Sequence, residues 1–179
     1  MSVLIIYATV EGQTGKIARA VESQLKDLGQ EVTVADTAER TAQVSFEGVK
    51  KVILAACVHE RRHPQTFEVF LSAHREDLAK CDTLLLSVSL SAAFEECLEE
   101  AEEYVTELKM RTKFAPTAEL LVAGAVRSHH YDYYAMQVLR HVVLRGKEYD
   151  PSVDEQEFTD WDALAQKVAR FIEIDVAAE

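Results

Sequence analysis

The sequence predicts a single α/β domain in which five parallel strands form one doubly wound sheet. The chain opens with a continuous apolar run, Val3–Ala8, which is typical of a central parallel strand buried on both faces. Helical periodicity follows at once, because Ile17, Val21 and Leu25 recur at four-residue spacing, and the strand-then-helix order repeats along the chain. With 179 residues, 48% of them hydrophobic, the chain can bury one substantial core.

Five apolar segments are expected to form the strands: Val3–Ala8, Glu31–Ala35, Val52–Cys57, Thr83–Val88 and Glu119–Ala125. Gly29 stands where a left-handed cap would end the first helix. Pro64 can open the second helix, where its missing N–H costs nothing, and a third helix is expected over Phe94–Lys113. Helices between successive parallel strands cover both faces of the sheet.

The last helix is expected to start near Thr159, which caps it, with Asp162 three residues on and Phe158 as a hydrophobic staple. Before it, residues 127–157 form a helical insertion that leaves from the carboxyl end of the fifth strand. Ligands of open α/β sheets bind at that edge. The insertion is therefore a packing element, a homodimer contact or a flap that faces a substrate.

Composition excludes several classes of function. The formal net charge of −12 argues against a nucleic-acid partner, because a phosphate-tracking groove needs clustered Lys and Arg. The same charge allows at most peripheral contact with an anionic membrane, and no apolar run approaches the ~20 residues that a span needs. Three cysteines without metal-ligand spacing predict neither a disulfide framework nor a metal site. We expect a soluble, cytoplasmic protein.

The segment between the first strand and the first helix is the most informative part of the sequence. A loop that ends in a helix N-terminus presents unpaired N–H groups and the positive end of the helix dipole, which together bind phosphate without a cation. Six residues of this segment are expected to contact the phosphate: Thr9, Val10, Glu11, Gly12, Gln13 and Thr14. The P-loop and GxGxxG patterns are absent from the sequence, which disfavours ATP, GTP and NAD.

Each of these residues has an expected role. The hydroxyls of Thr9 and Thr14 and the side-chain amide of Gln13 add donors, and Gly12 allows close approach of the backbone. Glu11 is expected to point to solvent while its N–H faces the phosphate, because a carboxylate would repel a phosphate.

Three sequence blocks resemble one family over nearly the whole chain: Tyr7–Thr14, Ala123–Arg127 and Phe158–Asp162. The chain resembles the flavodoxin superfamily and, within it, the menaquinone-dependent protoporphyrinogen oxidases. The resemblance implies a flavodoxin-like strand order 2-1-3-4-5, an FMN cofactor, a tetrapyrrole substrate and a quinone acceptor. It also adds Gly124, Ala125 and Arg127 to the expected cofactor site.

The loops after strands three and four are expected to form the other walls of the flavin site, because a doubly wound sheet binds ligands at its switch point. These walls comprise Cys57, Val58, His59, Ser87, Val88, Ser89 and Leu90. Neither loop supplies an aromatic ring, so His59 either takes that place or is an ordinary surface residue. Six cationic residues are either a basic rim for an anionic substrate or scattered surface charge: Arg61, Arg62, His63, Arg127, His129 and His130.

The leading functional hypothesis is an FMN-dependent oxidoreductase that resembles protoporphyrinogen oxidase and passes electrons from a reduced substrate to a quinone or redox protein. No side chain is singled out as a general base. The segment Ser91–Glu100 is acidic, whereas the family that the chain resembles has a basic insert there. The second hypothesis is a non-enzymatic electron carrier, which the acidic surface favours because such carriers dock to basic partners. A domain that has kept the fold but lost the flavin is the third hypothesis.

Overall fold

In the computed structural model, which describes residues 2–39, 44–127 and 155–174, five strands form one parallel sheet. They are β1 (Ser2–Ala8), β2 (Glu31–Asp36), β3 (Val49–Cys57), β4 (Asp82–Ser89) and β5 (Ala118–Ala123). Their order is β2-β1-β3-β4-β5, which confirms the predicted doubly wound fold. The winding reverses between β1 and β3, so the loops after these two strands face a common crevice.

Within the described ranges, five helices cover the two faces of the sheet: α1 (Gln13–Asp27), α2 (Gln65–Ala73), α3 (Arg75–Leu78), α4 (Leu98–Thr112) and α5 (Trp161–Glu173). Helices α1 and α5 bury their apolar sides on one face, and α2, α3 and α4 bury theirs on the other. Strand β1 alternates between them, with Val3 and Ile5 on the first face and Leu4 and Ile6 on the second. Burial on both sides explains its unbroken apolar sequence.

The fifth strand ends earlier than expected. Strand β5 stops at Ala123 rather than Ala125, because from Ala125 onward the chain pairs with residues 155–157 instead of with the sheet. The chain then forms β6 (Ala125–Arg127), which pairs antiparallel with β7 (Glu155–Glu157) in a separate ribbon. The ribbon brackets the predicted insertion, whose expected helix lies outside the described residues.

Two helix starts also differ from the expectation. Helix α4 begins at Leu98 rather than Phe94, because Phe94 is extended and two short 3-10 turns, Ser91–Ala93 and Glu95–Cys97, precede the helix. The cap of α5 is Asp160, whose Oδ1 accepts from the Ala163 N–H at 2.9 Å. The predicted cap, Thr159, instead donates its hydroxyl to the Ala123 carbonyl at 2.7 Å. A tertiary acceptor thus draws Thr159 away from the helix end.

The described ranges contain no helix that combines the length and apolar character needed to cross a bilayer. The three cysteines, Cys57, Cys81 and Cys97, are free thiols.

Candidate cofactor site

A pocket opens at the carboxyl edge of the sheet, between the loops that follow β1, β3 and β4. The space between these loops is about 490 Å³, open solvent included. Its lining is Thr9, Val10, Glu11, Gln13, Thr14, Cys57, Val58, His59, Val88, Ser89, Leu90, Gly124 and Ala125. The structure thus brings together all but three of the residues that the sequence assigned to the cofactor.

The three exceptions are Gly12, Ser87 and Arg127. Gly12 lies at the N-cap of α1 with a φ of 92°, and its N–H donates to Thr9 Oγ1 at 2.9 Å. Ser87 is buried within β4, one residue short of the edge, where its hydroxyl lies 3.0 Å from His63 Nε2. Arg127 lies in β6, and its side chain is outside the described part of the chain.

The first turn of α1 has the donors that a phosphate needs. The first hydrogen bond of the helix runs from the Lys16 N–H to the Gly12 carbonyl at 3.0 Å, so the N–H groups of Thr14 and Gly15 have no acceptor within the helix. The Thr14 hydroxyl is fully buried and lacks a nitrogen or oxygen partner among the described residues. This turn contains no acidic residue. A buried hydroxyl without a nitrogen or oxygen partner, beside N–H groups that have no acceptor within the helix, fits a phosphate monoester.

The side-chain amide of Gln13 has a different role from the expected one. Its Nε2 donates to Glu157 Oε2 and to Thr159 Oγ1, each at 3.0 Å, rather than facing the pocket as a phosphate donor. Glu157 lies at the end of β7 and was not predicted as a site residue. Its sequence signal is weak: it directly precedes the Phe158–Asp162 block that carries the family resemblance.

The expectation that Glu11 points to solvent is wrong. Its side chain is only 19% exposed, and Oε1 lies 3.7 Å from His59 Nδ1 across the pocket. The carboxylate turns inward because the His59 imidazole lies opposite it. The sequence of the loop after β1 could not show this, because His59 belongs to the loop after β3. His59 is thus more than an ordinary surface residue, since it lines the pocket.

His59 is held by a tight turn. Its N–H donates to the Arg62 carbonyl at 2.9 Å, and the Arg62 N–H donates back at 3.0 Å. The two central residues, Glu60 and Arg61, both have positive φ angles of 48° and 63°. Residues other than glycine rarely adopt a positive φ, so contacts with the surrounding structure must offset the backbone strain.

Of the two alternatives for the six cationic residues, scattered charge fits Arg61, Arg62 and His63 better than a basic rim, because none of the three lines the pocket. Arg61 pairs with Glu100 and Arg62 pairs with Glu68, so carboxylates already balance both guanidinium groups. His63 is buried, and burial lowers its pKa to about 4, so its ring is neutral near pH 7. His129 and His130 lie outside the described residues.

The remaining walls are held together by main-chain contacts. The Val58 N–H donates to the Val88 carbonyl at 2.7 Å, which joins the loops after β3 and β4. Cys57 lies in the same wall, and burial raises its pKa to about 11. Its thiol therefore stays protonated at neutral pH and cannot act as a base or nucleophile.

Comparison with known proteins agrees with this geometry. Protoporphyrinogen IX dehydrogenase [quinone] of Escherichia coli strain K12 is 28% identical over 167 residues, which cover 92% of this chain and 91% of that protein. Oxidised flavodoxin 1 from Bacillus cereus superposes with a TM-score of 0.59 at 16% identity, over 97% of this chain and 98% of that one. A mutant flavodoxin from Pseudomonas aeruginosa gives a TM-score of 0.55 at 14% identity, over 96% of this chain and 99% of that one.

The two structural matches show the same fold, and the resemblance drawn from the sequence is confirmed. The model of a flavodoxin domain family, Flavodoxin_5, matches residues 4–154, which span the sheet from β1 to β5 and the whole pocket lining. This protein therefore belongs to the flavodoxin domain family, whose members bind FMN.

Proposed function

We propose that this protein is an FMN-dependent oxidoreductase that oxidises a reduced tetrapyrrole and passes the electrons to a quinone or another acceptor. The observation that carries the proposal is the buried Thr14 hydroxyl, without a nitrogen or oxygen partner in the described part of the chain, beside the N–H groups that begin α1 in the lining of an open pocket. The relative that is named for the dehydrogenation of protoporphyrinogen IX aligns with 92% of the chain.

The residues present fit FMN. The Thr14 hydroxyl and the N–H groups of Thr14 and Gly15 would hold the phosphate, while the walls after β3 and β4 would flank the ring. When bound, the flavin supplies the redox chemistry, and the protein supplies placement and electrostatics. The partial positive charge of the helix N-terminus would stabilise the phosphate, while the Lys16 ammonium is paired with Glu157.

The pocket also contains a pair of groups that can hold a proton. Among the described lining residues, the ionisable side chains are Glu11, Cys57 and His59, and the Cys57 thiol stays protonated at neutral pH. His59 Nδ1 faces the Glu11 carboxylate, so a proton on this nitrogen would lie between the two groups. The pair therefore lies in the same pocket lining as the residues that would hold the flavin.

We also propose that residues 1–179 form one domain and that 127–157 is an insertion in it. The β6–β7 ribbon supports this, because it brings the two ends of the insertion together beside the pocket. Gly124 and Ala125 belong to the pocket lining, and the Phe158 N–H donates to the Gly124 carbonyl at 3.0 Å. The insertion thus starts and ends at the site.

An electron carrier is the second candidate, and the acidic segment after β4 favours it. Glu95, Glu96, Glu99 and Glu100 follow shortly after Leu90 at the pocket edge. Arg61 balances Glu100, but the segment keeps a net negative charge in sequence. Such a surface suits steering towards a basic redox partner.

Two measurements test the proposal and separate it from the carrier. Titration of the apoprotein with FMN, followed by flavin fluorescence, is expected to show saturable binding. Anaerobic mixing of the loaded protein with protoporphyrinogen is then expected to bleach the flavin absorbance. Protein that does not bind FMN overturns the proposal. Protein that binds FMN, is reduced by a flavodoxin reductase and ignores protoporphyrinogen is a carrier.

A further inference from the structure

Glu157 is the centre of a hydrogen-bonded cluster behind the phosphate loop. Its Oε2 accepts from Gln13 Nε2 and from Lys16 Nζ, and its Oε1 accepts from Trp161 Nε1 at 2.6 Å. The Lys16 ammonium also lies 5.2 Å from the centre of the Trp161 ring. One carboxylate thus joins the first turn of α1 to the end of β7 and the start of α5.

The cluster is partly shielded from water. Gln13 is only 6% exposed, and the Glu157 side chain is 24% exposed. Burial raises the pKa of Glu157, but the hydrogen bonds from Lys16, Trp161 and Gln13 together lower this pKa below its usual value. The carboxylate is therefore charged at neutral pH and makes strong, charge-assisted hydrogen bonds.

We propose that Glu157 is a positioning residue for the phosphate site, which fixes the first turn of α1 by holding Gln13 and Lys16. The proposal rests on FMN binding as argued above, but not on the identity of the substrate. Gln13 is the first residue of the helix and is adjacent to Thr14, whose hydroxyl and N–H would meet the phosphate. If Gln13 is held in place, these donors are already ordered before the ligand binds. The conformational-entropy cost of binding is then smaller.

Simple electrostatics predicts the opposite sign. A carboxylate near a phosphate repels it, and Glu157 also engages Lys16, a cation in the first turn of the helix. If Glu157 acted only through its charge, its removal would strengthen FMN binding. If it positions the loop, its removal weakens FMN binding despite the more favourable charge.

The test compares FMN with riboflavin, which has the same ring and no phosphate, in Glu157→Gln. A glutamine has no charge and one acceptor oxygen in place of two, so it cannot accept from Gln13 and Lys16 on one side and from Trp161 on the other. The complete cluster therefore cannot re-form. We expect FMN affinity to fall roughly tenfold, as when one well-placed hydrogen bond is lost, and riboflavin affinity to stay within about twofold. Unchanged or tighter FMN binding, or an equal loss for riboflavin, would overturn the proposal.

The matched control is Glu119→Gln. Glu119 pairs with Lys109 on α4 from its place in β5, so this variant makes the same change in net charge and also breaks an ion pair, but lies outside the pocket lining. Its FMN affinity is expected to equal that of the wild type. An equal loss in the control would mean that the effect of Glu157 is not local.

A double-mutant cycle with Gln13→Leu tests whether Glu157 affects FMN binding through its hydrogen bond with Gln13. Leucine keeps the bulk of the buried side chain and removes its amide. If Glu157 acts through Gln13, the second substitution has little further effect on FMN affinity in the Gln13→Leu background. Full additivity would contradict the proposed route. A wild-type protein that binds neither flavin would overturn both this inference and the proposed function, whereas flavin binding without turnover would overturn the oxidoreductase alone.

Discussion

Two segments on opposite sides of the pocket both adopt backbone conformations with positive φ, but they do so by different means. The loop after β1 does so at Gly12, with a φ of 92°, where the absence of a side chain removes the steric cost. The turn after β3 does so at Glu60 and Arg61, with φ angles of 48° and 63°, where the cost remains. The first conformation is encoded locally, and the second must be imposed from elsewhere.

The anchors of the second turn are visible in the structure. Arg61 pairs with Glu100 near the start of α4, and Arg62 pairs with Glu68 in α2. His63, the next residue, lies against Ser87 in β4. Three contacts to three different elements hold the backbone in a strained form, which is how strain persists in folded proteins. The pocket therefore has one wall that depends on local sequence and one that depends on the completed fold.

The largest effect is expected at Gly12. In Gly12→Val a β-branched side chain would occupy positive φ, at a strain of about 1–3 kcal/mol. The loop is expected to shift to relieve this strain and to displace the phosphate donors, so FMN affinity falls roughly 10- to 100-fold. A fluorescence titration with FMN measures the loss.

Gly48→Val is the matched control for this prediction. Gly48 has a φ of 71°, has nothing within 4 Å of an added Cβ and is not part of the pocket lining. It should lose stability like the Gly12 variant and keep the FMN affinity of the wild type. Equal affinities in the two variants would remove the first loop from the cofactor site.

The next effect concerns the buried anchor His63 and the dependence of stability on pH. Burial lowers the pKa of His63 from 6.5 to about 4, so between these values the unfolded chain takes up a proton that the folded protein does not. Stability is thus lost as the pH falls from about 6.5 to about 4. At 1.36 kcal/mol per pKa unit, the loss is about 3 kcal/mol.

His63→Gln removes the titrating group and retains a polar side chain opposite Ser87. Urea unfolding at several pH values in this window should give a shallower loss of unfolding free energy in the variant. An identical slope in both proteins would mean that other groups set the pH dependence. The carboxyl pKa values of Glu68, Glu100 and Glu157 are lowered, so their contributions are lost only below about 4.5.

The smallest effect sharpens the contrast between the two segments. Glu60→Gly would place a glycine where the backbone already has a positive φ, and the Glu60 side chain is 88% exposed. Relief of about 1–2 kcal/mol of strain should slightly exceed the entropy cost of glycine, so stability rises by about 0.5 kcal/mol. Urea unfolding with an unchanged m-value measures it.

The same substitution at a relaxed position is expected to have the opposite sign. Glu47 is exposed and is not among the described residues with positive φ, so Glu47→Gly should lose about 0.5–1 kcal/mol. If both glycine variants are destabilised, the second turn is not strained and the contrast drawn above is lost.

Much of the fold follows from local pattern. The sequence located all five strands of the sheet within a few residues. The signal was clearest for β1, β3 and β4, because burial on both faces leaves no alternative to apolar side chains. The end of β5 was misplaced, since Ala125 pairs with Glu157, which lies far along the chain. The cap of the last helix was also misplaced because of a distant partner, since the Thr159 hydroxyl donates to the Ala123 carbonyl.

The candidate site divides in the same way. Its lining could be predicted because loops after neighbouring parallel strands meet at one edge of the sheet. The partners within it could not, because they depend on distances between loops. Glu11 faces His59 from another loop, and Glu157 reaches Gln13 across 144 positions of sequence.

By itself the sequence determined the doubly wound sheet, the helix start that can bind a phosphate and the glycine that shapes it. These features depend on hydrophobic periodicity and on the conformational range of single residues, both of which can be seen in short stretches of sequence. Only the tertiary structure decided where Glu11 points, how the His59–Arg62 turn is held and that Glu157 contacts the first turn of α1. Hydrogen bonds and ion pairs act over about 3 Å, and only the folded chain brings such distant residues that close.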